Sequence, residues 1–578
     1  MWQFFSHMPP CVFVLKNKYK FVIISKVIKK EEGILMDRKE LANLIFPDVK
    51  DYTYYEEKYP ERNLPEGAEV VRVAPSPTGF IHIGGLFQGI VARTIADKTK
   101  GVFFVRIEDT DQKRKIENGA EEILKAFYDY GLAPDETAGL DGNDIGNYGP
   151  YVQSERMEIY KSYAKKLLEE GNAYPCFCTP EDLETIRSNQ ERAKERTGYY
   201  GKWAKCRNMP IDMAAEKIKN GDPYIIRFKS PGNPEKKIKF KDVIKGSIEF
   251  PENDLDIIII KSDGLPTYHF AHLVDDHLMR TTLVTRSDEW VSSVPLHLQL
   301  FYVAGFKAPR YAHTAPLLKQ DGDSKRKLSK RKDPEAAVSF YTEQGIPKDS
   351  VKEYLMNIAN SGFELWRKQN KDLPLEDFPF DIKKMGVSGA LFDMVKMADV
   401  SKNVISKYTA EQVYDEAYKW GKVYDEELVE MLDNKEYALK VLGIERGNQK
   451  PRKDIAKWSD VKDIIYYMYP EKYDKITEFE YQKINDKEEI DKIIKTYFEK
   501  YFDYNDDKEV WFNKIKDLSE ELGYAREVKE FKANPDGYKG HVGDISTVIR
   551  VKLTGRCNTP DLYEIMRVLG KDEILRRV

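Results

Sequence analysis

A strand-loop-helix-strand pattern near the amino end constrains the fold of this 578-residue chain more than any other feature. A short β-branched run, residues 70–74, leads through a loop rich in proline and glycine into a helical pattern from about Gly84 to Lys98. A second apolar run, residues 102–107, follows that helix. This order predicts an α/β domain with a parallel sheet and a right-handed crossover.

The whole chain is too long for one hydrophobic core, so several domains of roughly 100–200 residues each are expected. The stretch from about 154 to 254 is rich in helical patterns, and the apolar run that follows it, residues 255–260, predicts a buried strand. We interpret this stretch as an insertion between two halves of the sheet domain. After Asp333 the pattern is helical to the end and carries no further glycine-rich phosphate loop, which predicts a separate helical domain.

Residues 1–35 mix apolar and basic side chains and resemble a signal peptide only superficially. Lysines interrupt the apolar stretches, and no small-residue cleavage site follows them. Residues 30–33 (KEEG) require purine-rich codons of the kind found in a ribosome-binding sequence, a few codons before Met36. We therefore predict that translation begins at Met36 and that residues 1–35 are a non-native upstream extension.

Composition argues against several classes of protein. No apolar run approaches the ~20 residues that a membrane-spanning helix needs, so no membrane contact is predicted. The five cysteines are widely spread, which favours a reducing cytoplasm over a disulfide framework. Because the formal net charge is only -4, a nucleic-acid partner would have to bind a local basic patch. Residues 325–332 and 236–241 are the two candidate patches.

Two loops carry the pattern expected of a nucleotide site. In the first loop, residues 72–86, two prolines stiffen the chain and glycines let the backbone approach a ligand closely. His82 precedes the predicted helix, where backbone N–H groups and the helix dipole favour phosphate. The second loop, residues 327–331 (KLSKR), offers basic side chains that can contact phosphate groups. Taken alone, each loop also fits a structural role, as a turn before a helix or as a basic surface loop.

Together the two loops resemble the signature sequences of class I glutamyl-tRNA synthetases of the bacterial type. Residues 74–79 with 82–85 are similar to the first signature, usually written HIGH, and residues 327–331 are similar to the second, usually written KMSKS. The similarity extends from about Asn63 onward and is strongest up to Lys332. Further matching segments are residues 106–111, 267–276 and 286–290.

The resemblance implies a Rossmann-like parallel-sheet catalytic domain, an inserted acceptor-binding domain and an all-α C-terminal anticodon-binding domain. The predicted division after the upstream extension has six parts. They are an N-terminal helical arm (36–68), the first half of the catalytic domain (69–153), the acceptor-binding insertion (154–254), the second half of the catalytic domain with the second loop (255–332), a stem-contact connector (333–405) and the helical anticodon-binding domain (406–578).

The resemblance also implies an activity. ATP and L-glutamate would form glutamyl-adenylate, with Mg2+ sharing the phosphate charge, and the 3′-terminal ribose of tRNA(Glu) would then accept the acyl group. The predicted catalytic residues are His82, Gly84, Gly85, Lys327, Ser329 and Lys330. The predicted ATP-binding residues are Pro75, Thr78, Gly79, His82 and Lys330.

Selection of glutamate over glutamine requires fixed positive charge, because an arginine that pairs bidentately with a carboxylate would be left unmatched by an amide. By resemblance, Arg72 and Arg286 hold carboxylate groups, Tyr268 donates a hydroxyl and Glu108 takes the ammonium. The other predicted glutamate-binding residues are Ala74, Ser76 and His272. His272 departs from the family pattern, which has Asn there, so its contact would be sensitive to pH. Each polar residue of this set could instead be satisfied by the backbone at a strand end.

Three cysteines, Cys176, Cys178 and Cys206, are compatible with a zinc site if a fourth ligand exists. The sequence does not supply one in the expected place: Asn208 stands where some relatives have histidine, and Tyr199 and Tyr200 lie slightly too early. Thiols packed without metal, as small hydrophobic groups, are an equal alternative.

Two rival functions remain open from the sequence. One is a glutaminyl-tRNA synthetase, although this family normally carries Glu-Pro-Asn-Gly where residues 76–79 read SPTG. The other is a catalytically inactive tRNA-binding paralogue, although such a protein would not need both loops intact. The preferred interpretation is a cytoplasmic, monomeric ligase of glutamate to tRNA(Glu). Whether tRNA(Gln) is also charged depends on anticodon contacts in a helical region whose pattern is generic.

Overall fold

The structure is a computed structural model that describes residues 36–77, 79–111 and 116–578. The predicted upstream extension and the predicted ATP-binding residue Thr78 lie outside the described residues. Within the described ranges, no helix is both long and apolar enough to cross a membrane.

Fourteen strands form four sheets in the described part of the chain. They are β1 (Val70–Val73), β2 (Val102–Val105), β3 (Glu136–Ala138), β4 (Asp144–Ile145), β5 (Ala173–Cys176), β6 (Ile225–Phe228), β7 (Lys237–Asp242), β8 (Gly246–Pro251), β9 (Ile258–Ile260), β10 (Leu283–Ser287), β11 (Arg310–Thr314), β12 (Leu317–Asp321), β13 (Ser324–Lys327) and β14 (Ala390–Leu391). The largest sheet has the order β11-β10-β1-β2-β3-β4, and every neighbouring pair is parallel except β3 with β4.

Twenty-four α-helices accompany these sheets in the same described ranges. They are α1 (Arg38–Ile45), α2 (Tyr52–Lys58), α3 (Ile83–Thr99), α4 (Gly119–Asp129), α5 (Met157–Glu169), α6 (Pro180–Arg192), α7 (Ile211–Lys219), α8 (Tyr268–Leu278), α9 (Val294–Ala304), α10 (Ser339–Gln344), α11 (Lys348–Ala359), α12 (Phe363–Gln369), α13 (Met394–Ile405), α14 (Ala410–Tyr424), α15 (Glu426–Met431), α16 (Lys435–Gly443), α17 (Val461–Ile465), α18 (Pro470–Tyr473), α19 (Lys487–Thr496), α20 (Lys508–Glu521), α21 (Val528–Ala533), α22 (Val542–Thr554), α23 (Leu562–Leu569) and α24 (Lys571–Arg576).

The predicted strand-loop-helix-strand unit is confirmed. β1 and β2 are parallel neighbours in register from Val70 with Val102 to Val73 with Val105, and α3 connects them. All four residues of β1 are buried, as expected for a parallel strand covered on both faces. The sheet order reverses at β1, because β2 lies on one side and β10 on the other. Such a switch point leaves a crevice at the carboxyl ends of the two strands.

The apolar run at residues 255–260 forms a strand, but a shorter one in a different sheet. β9 pairs antiparallel with β6, and β6 pairs antiparallel with β5. The predicted second half of the catalytic domain therefore begins with a strand that pairs with strands of the insertion, and the chain returns to the main sheet only at β10. An apolar run indicates burial but does not indicate which sheet buries it.

The chain after Asp333 is predominantly helical, as predicted, with the short strand β14 as an exception. α11 packs against α3, and Val351 and Leu355 belong to the same hydrophobic core as Leu86 and Ile90. A second core contains residues from Ile405 to the C-terminal helices. The six predicted domain boundaries stay predictions, because cores and sheets are shared across several of them.

The helical arm before β1 is fastened by Glu56. Its carboxylate accepts hydrogen bonds from the Tyr163 hydroxyl (2.6 Å), His277 Nε2 (2.7 Å) and an Arg280 Nη (3.1 Å). Burial alone would raise the pKa of Glu56, but the hydrogen bonds from His277 and Tyr163 outweigh burial and lower the pKa to about 2. The arm is thereby tied to α5 and to the end of α8.

We expect Glu56→Ala to lower the midpoint of thermal unfolding at pH 7, because unpaired buried donors cost ~1–3 kcal/mol. The folded pKa lies below the ordinary value of 4.5, so the Glu56 contribution is present above pH 4.5 and fades as the pH falls toward 2. Thermal unfolding of both proteins across this pH range measures it. Exposed Glu57→Ala is the matched control, and an equal effect in that variant would contradict the prediction.

Candidate active site

A cavity of about 1130 Å³ lies at the switch point of the main sheet. Most of the predicted site residues line it: Arg72, Ala74, Pro75, Ser76, His82, Gly84, Gly85, Glu108, Tyr268, Arg286 and Lys327. Of the described residues predicted for catalysis, ATP or glutamate, four do not belong to its lining, namely Gly79, His272, Ser329 and Lys330. The cavity therefore brings together the first loop, two residues of the second loop (Lys327 and Leu328) and the predicted glutamate residues other than His272.

His82 caps the amino end of α3 and lines the cavity. Its ring Nδ1 accepts the backbone N–H of Gly84 at 2.8 Å, so in the neutral ring the proton lies on Nε2. Burial and the charges of Lys330 and Lys327 lower the pKa of His82, which keeps the ring neutral at pH 7. The imidazole donor and the positive end of the helix dipole are both suited to a phosphate group.

The second loop follows the hairpin of β12 and β13 and is braced by buried Asp333. The Asp333 carboxylate accepts from Arg326 at 2.6 and 2.7 Å and from the backbone N–H of Ser329 at 2.8 Å. The hydrogen bond from Arg326 is the main reason why the pKa of Asp333 lies well below its ordinary range. Asp333 therefore fixes the loop that carries the predicted catalytic lysines.

The two lysines of the second loop take different positions. Lys330 Nζ donates to the carbonyl of Phe80, which joins the second loop to the first. Gly79 has φ +148° in this contact, a conformation suited to glycine, and a Cβ there would lie 3.7 Å from Lys330 Nζ. Lys327 lines the cavity, and its Nζ lies 2.6 Å from the Glu289 carboxylate.

Arg72 is held by a buried carboxylate. Its Nη2 lies 3.2 Å from Asp276 Oδ2, and Arg106 Nη1 donates to the other oxygen of the same carboxylate at 2.8 Å. The second Arg106 Nη donates to Glu108 at 3.1 Å. Burial raises the pKa of Glu108, and the charge of Arg106 opposes this shift. The cavity wall therefore contains Arg72, whose charge is paired with Asp276, and the Glu108 carboxylate.

Arg286, which is 6% exposed, has no such anionic partner in direct contact. Its Nε donates to His313 Nε2 at 3.0 Å, and its Nη groups donate to the Tyr268 hydroxyl at 3.2 Å and to the Trp290 carbonyl at 3.2 Å. Both Nη groups also lie 3.3 Å from His297 Nδ1. Every one of these acceptors is neutral, and Arg286 forms no ion pair with a carboxylate of the described residues. The cavity therefore contains an arginine that lacks a counter-ion in contact with it.

His272 lies behind the cavity wall. It is fully buried, its Nδ1 is 2.6 Å from Asp276 and its Nε2 is 3.0 Å from the Tyr311 hydroxyl. Burial lowers the pKa of His272 to about 4, although the Asp276 charge opposes that shift. The structure thus brings His272 to the carboxylate that holds Arg72, and not to the space where a ligand would bind.

The three cysteines of the insertion converge, and the Tyr199 hydroxyl lies beside them. All three thiol sulfurs lie within 4.8 Å of one another, and the Tyr199 hydroxyl is 3.3 Å from both Cys176 Sγ and Cys178 Sγ. The spacing predicted that Tyr199 lies too early in the chain to approach these cysteines. That expectation was wrong because the chain between Tyr199 and Cys206 forms a compact turn, so that the Tyr199 hydroxyl also accepts the backbone N–H of Cys206 at 3.0 Å.

Several residues around the site were not found from the sequence. Asp242, Asp276, His297, His313 and Asp333 all bond the side chains described above, and none of them belongs to a signature. Asp276 alone had a signal, because it falls in one of the matching segments, residues 267–276.

These features are those of a class I aminoacyl-tRNA synthetase. They are a parallel sheet, a cavity at its switch point, a histidine and glycines at a helix amino end, and a lysine-containing loop opposite them. Residues 69–366 match the family model described as tRNA synthetases class I (E and Q), catalytic domain, and residues 426–578 match the model of an anticodon binding domain.

Individual relatives narrow the family. The chain is 49% identical to a glutamate–tRNA ligase of Clostridium perfringens over 547 residues, which are 94% of this chain and 100% of the relative. It is 44% identical to one from Sorangium cellulosum, over 91% of this chain and 96% of the relative. The crystal structure of a glutamate–tRNA ligase from Elizabethkingia meningosepticum in complex with its amino acid matches with a TM-score of 0.70 and 27% identity, over 89% of this chain and 98% of that chain. The chain belongs to the glutamate–tRNA ligase family, and these matches favour neither rival function.

Proposed function

We propose that this chain ligates L-glutamate to tRNA(Glu) in the cytoplasm, in two steps through glutamyl-adenylate. The observation that carries the proposal is the arginine without a contacting counter-ion, Arg286, in the same cavity as the amino end of α3. A glutamate carboxylate would supply the missing charge. A glutamine amide would leave the guanidinium without an anion and would cost the pocket its strongest contact.

The proposed glutamate pocket divides its tasks by charge. Arg286 takes one carboxylate, and the Nη contacts of 3.2–3.3 Å to neutral acceptors are the ones that this carboxylate replaces. Arg72, oriented by Asp276, contributes a second guanidinium at the wall. Tyr268 adds a hydroxyl, and Glu108 accepts the substrate ammonium. Ala74 and Ser76 leave room beside the first loop.

The proposed activation step relies on positioning and electrostatics. The glutamate carboxylate attacks the α-phosphorus of ATP, and pyrophosphate leaves toward the second loop. His82 at the amino end of α3 donates to phosphate oxygens, and Gly84 and Gly85 carry no side chain that would keep these oxygens away. Lys327, Ser329 and Lys330 stabilise the leaving group. No side chain has to act as a nucleophile. The 3′-terminal ribose of tRNA(Glu) then attacks the adenylate carbonyl and releases AMP.

Mg2+ fits this site mainly as an ion carried by the ATP phosphates. Hard cations take oxygen ligands, and Mg2+ commonly binds substrate phosphates with only one or two carboxylates. Glu289 lines the cavity and is one such carboxylate, although Lys327 pairs with it here. When bound, Mg2+ would neutralise part of the charge that develops on the phosphates.

The proposed function predicts that labelled glutamate becomes attached to a tRNA(Glu) transcript in an ATP-dependent reaction. A tRNA(Gln) transcript tested in parallel measures whether charging extends to that tRNA. Acid precipitation of the tRNA reports both results, and analytical ultracentrifugation tests the proposed monomer. Failure to charge tRNA(Glu) in the presence of ATP and Mg2+ would contradict the proposal.

We also propose that Cys176, Cys178, Cys206 and Tyr199 hold a structural zinc ion. The Cys178 and Cys206 sulfurs are 3.7 Å apart, and a tetrahedral site with Zn–S bonds of ~2.3 Å requires ~3.8 Å between sulfurs. Three thiolates and a phenol oxygen make a closed site of this kind, which would pin the end of β5 to the turn that precedes Cys206. The ion would stabilise the insertion and take no part in the reaction.

Metal analysis of the purified protein should find about one zinc per chain. We expect Cys206→Ala to lose the metal and to lower the thermal stability of the protein, because a structural zinc site contributes directly to folding. Cys557→Ala is the matched control, since Cys557 lies in the helical tail and outside this cluster. Equal zinc content in wild type and Cys206→Ala would contradict the site.

A further inference from the structure

Asp242 and His313, which do not line the cavity, form a chain of hydrogen bonds that ends at Arg286. The Asp242 carboxylate lies 2.6 Å from His313 Nδ1, and His313 Nε2 accepts from Arg286 Nε at 3.0 Å. His313 and Arg286 are direct neighbours in register on β11 and β10. His313 is fully buried and Asp242 is 1% exposed. This chain of hydrogen bonds therefore runs through the protein interior.

The chain of hydrogen bonds joins two parts of the fold. Asp242 ends β7, a hairpin strand of the insertion, and β11 is the edge strand of the main sheet. The hairpin end covers this edge: the backbone N–H of Val243 donates to the Tyr311 carbonyl at 2.8 Å. The insertion therefore contributes a carboxylate to the support of an arginine in the cavity.

The geometry permits only one tautomer of His313. A neutral ring has one donor and one acceptor, and Nε2 must be the acceptor because it faces the Arg286 Nε–H. The ring proton then lies on Nδ1, where Asp242 accepts it. Burial lowers the pKa of His313 and the charge of Arg286 adds to this, although the hydrogen bond to Asp242 opposes it. Without Asp242, the other tautomer would direct an N–H toward the Arg286 N–H.

The contacts of Arg286 differ in how easily a ligand can replace them. The bond to His313 is the shortest, and it uses Nε, so neither Nη group is engaged by it. The Nη groups have longer contacts with neutral acceptors, namely Tyr268, Trp290 and His297. A substrate carboxylate can take the Nη positions while His313 keeps the plane of the guanidinium fixed.

We propose that Asp242 and His313 are positioning residues for glutamate: Asp242 fixes the tautomer of His313, and His313 fixes the orientation of Arg286 toward the substrate carboxylate. The proposal rests on the proposed function, since it assigns a support to the arginine that this function uses. In this arrangement the imidazole of His313 separates the Asp242 carboxylate from Arg286. Asp242 therefore helps to orient the arginine without occupying the position of the substrate carboxylate.

A pair of substitutions at His313 tests the first link. Glutamine can accept from Arg286 with its carbonyl oxygen and donate to Asp242 with its amide, whereas phenylalanine keeps the ring shape and can do neither. We expect His313→Phe to raise KM for glutamate about 10- to 100-fold, the loss of one hydrogen bond to a charged group. His313→Gln should stay within a few-fold of wild type, and KM for ATP should be unchanged in both variants. Pyrophosphate exchange in the presence of tRNA(Glu) measures all of these constants.

Asp242→Asn tests the second link, because asparagine keeps the shape and can bond either tautomer of His313. We expect it to raise KM for glutamate in the same direction, and we expect Asp242→Asn combined with His313→Phe to be no worse than His313→Phe alone. His277→Phe is the matched control, since it breaks another His–carboxylate contact, with Glu56, that does not reach Arg286. It should lower thermal stability and leave KM for glutamate unchanged.

Equal KM values for His313→Gln and His313→Phe, or effects of Asp242→Asn on stability alone, would overturn the inference while leaving the proposed function in place. Additive effects in the double variant would also overturn it, since the two residues would then act separately. A wild-type chain without glutamate-dependent exchange would overturn the proposed function and the inference with it.

Discussion

Arg286→Gln is expected to lower kcat/KM for glutamate by about 100- to 1000-fold, because truncating one partner of a buried charge pair costs ~2–5 kcal/mol. Arg286 is the arginine in the cavity whose hydrogen-bond partners are all neutral, so the substrate carboxylate would be its counter-ion. The same substitution should reduce the ratio of kcat/KM for glutamate to kcat/KM for glutamine. A pocket with a glutamine side chain in place of Arg286 contains no guanidinium charge that bound glutamine would leave unpaired. Steady-state pyrophosphate exchange with each amino acid measures both effects.

Arg310→Gln is the matched control for this experiment. Arg310 is the first residue of β11, at the opposite end of the neighbouring strand, and it pairs with Glu69 away from the cavity. Its loss should leave kcat/KM for glutamate close to the wild-type value. An Arg286→Gln protein with nearly normal kinetics would show that glutamate binds elsewhere.

Lys330→Ala is expected to slow glutamyl-adenylate formation by about 100- to 1000-fold while leaving tRNA binding nearly intact, since a preorganised donor to developing charge has effects of this size. Lys330 Nζ bonds the Phe80 carbonyl and so joins the two loops in the structure. During the reaction the ammonium would exchange this carbonyl for the leaving pyrophosphate. Single-turnover adenylate formation and a filter-binding measurement with tRNA(Glu) separate the two properties.

Lys348→Ala provides the comparison for Lys330→Ala. Lys348 begins α11 and forms an exposed pair with Asp129, so its removal changes the same charge without touching either loop. It should react at the wild-type rate. Near-normal adenylate formation by Lys330→Ala would remove Lys330 from the mechanism.

The sequence predicted the parts of the fold that depend on local pattern. β1 and α3 follow from a β-branched run and a Pro/Gly loop into a helical pattern, and both were found within a residue or two of the expected bounds. The partner of a strand is a non-local property, however. The run at residues 255–260 is equally apolar whether it joins the main sheet or the sheet of β5 and β6, and only the tertiary structure shows that it joins the latter.

The site shows the same division between local and non-local information. Residues that lie in signature loops, such as His82 and Lys327, were predicted and line the cavity. Other residues around the site come from distant segments and were not predicted. Asp242, which bonds His313, lies on a hairpin several elements before Arg286. Tyr199 lies beside the cysteines because of a turn that the sequence spacing did not predict. His272 was predicted from its segment, but its side-chain direction depends on how α8 packs, which turns it toward Asp276.

The most direct test of the central claim is pyrophosphate exchange by the wild-type protein, with tRNA(Glu) present and each amino acid supplied in turn. A glutamate–tRNA ligase with the proposed pocket should exchange pyrophosphate into ATP with glutamate and show little exchange with glutamine or aspartate. Absence of glutamate-dependent exchange, or equal exchange with glutamine, would contradict the account.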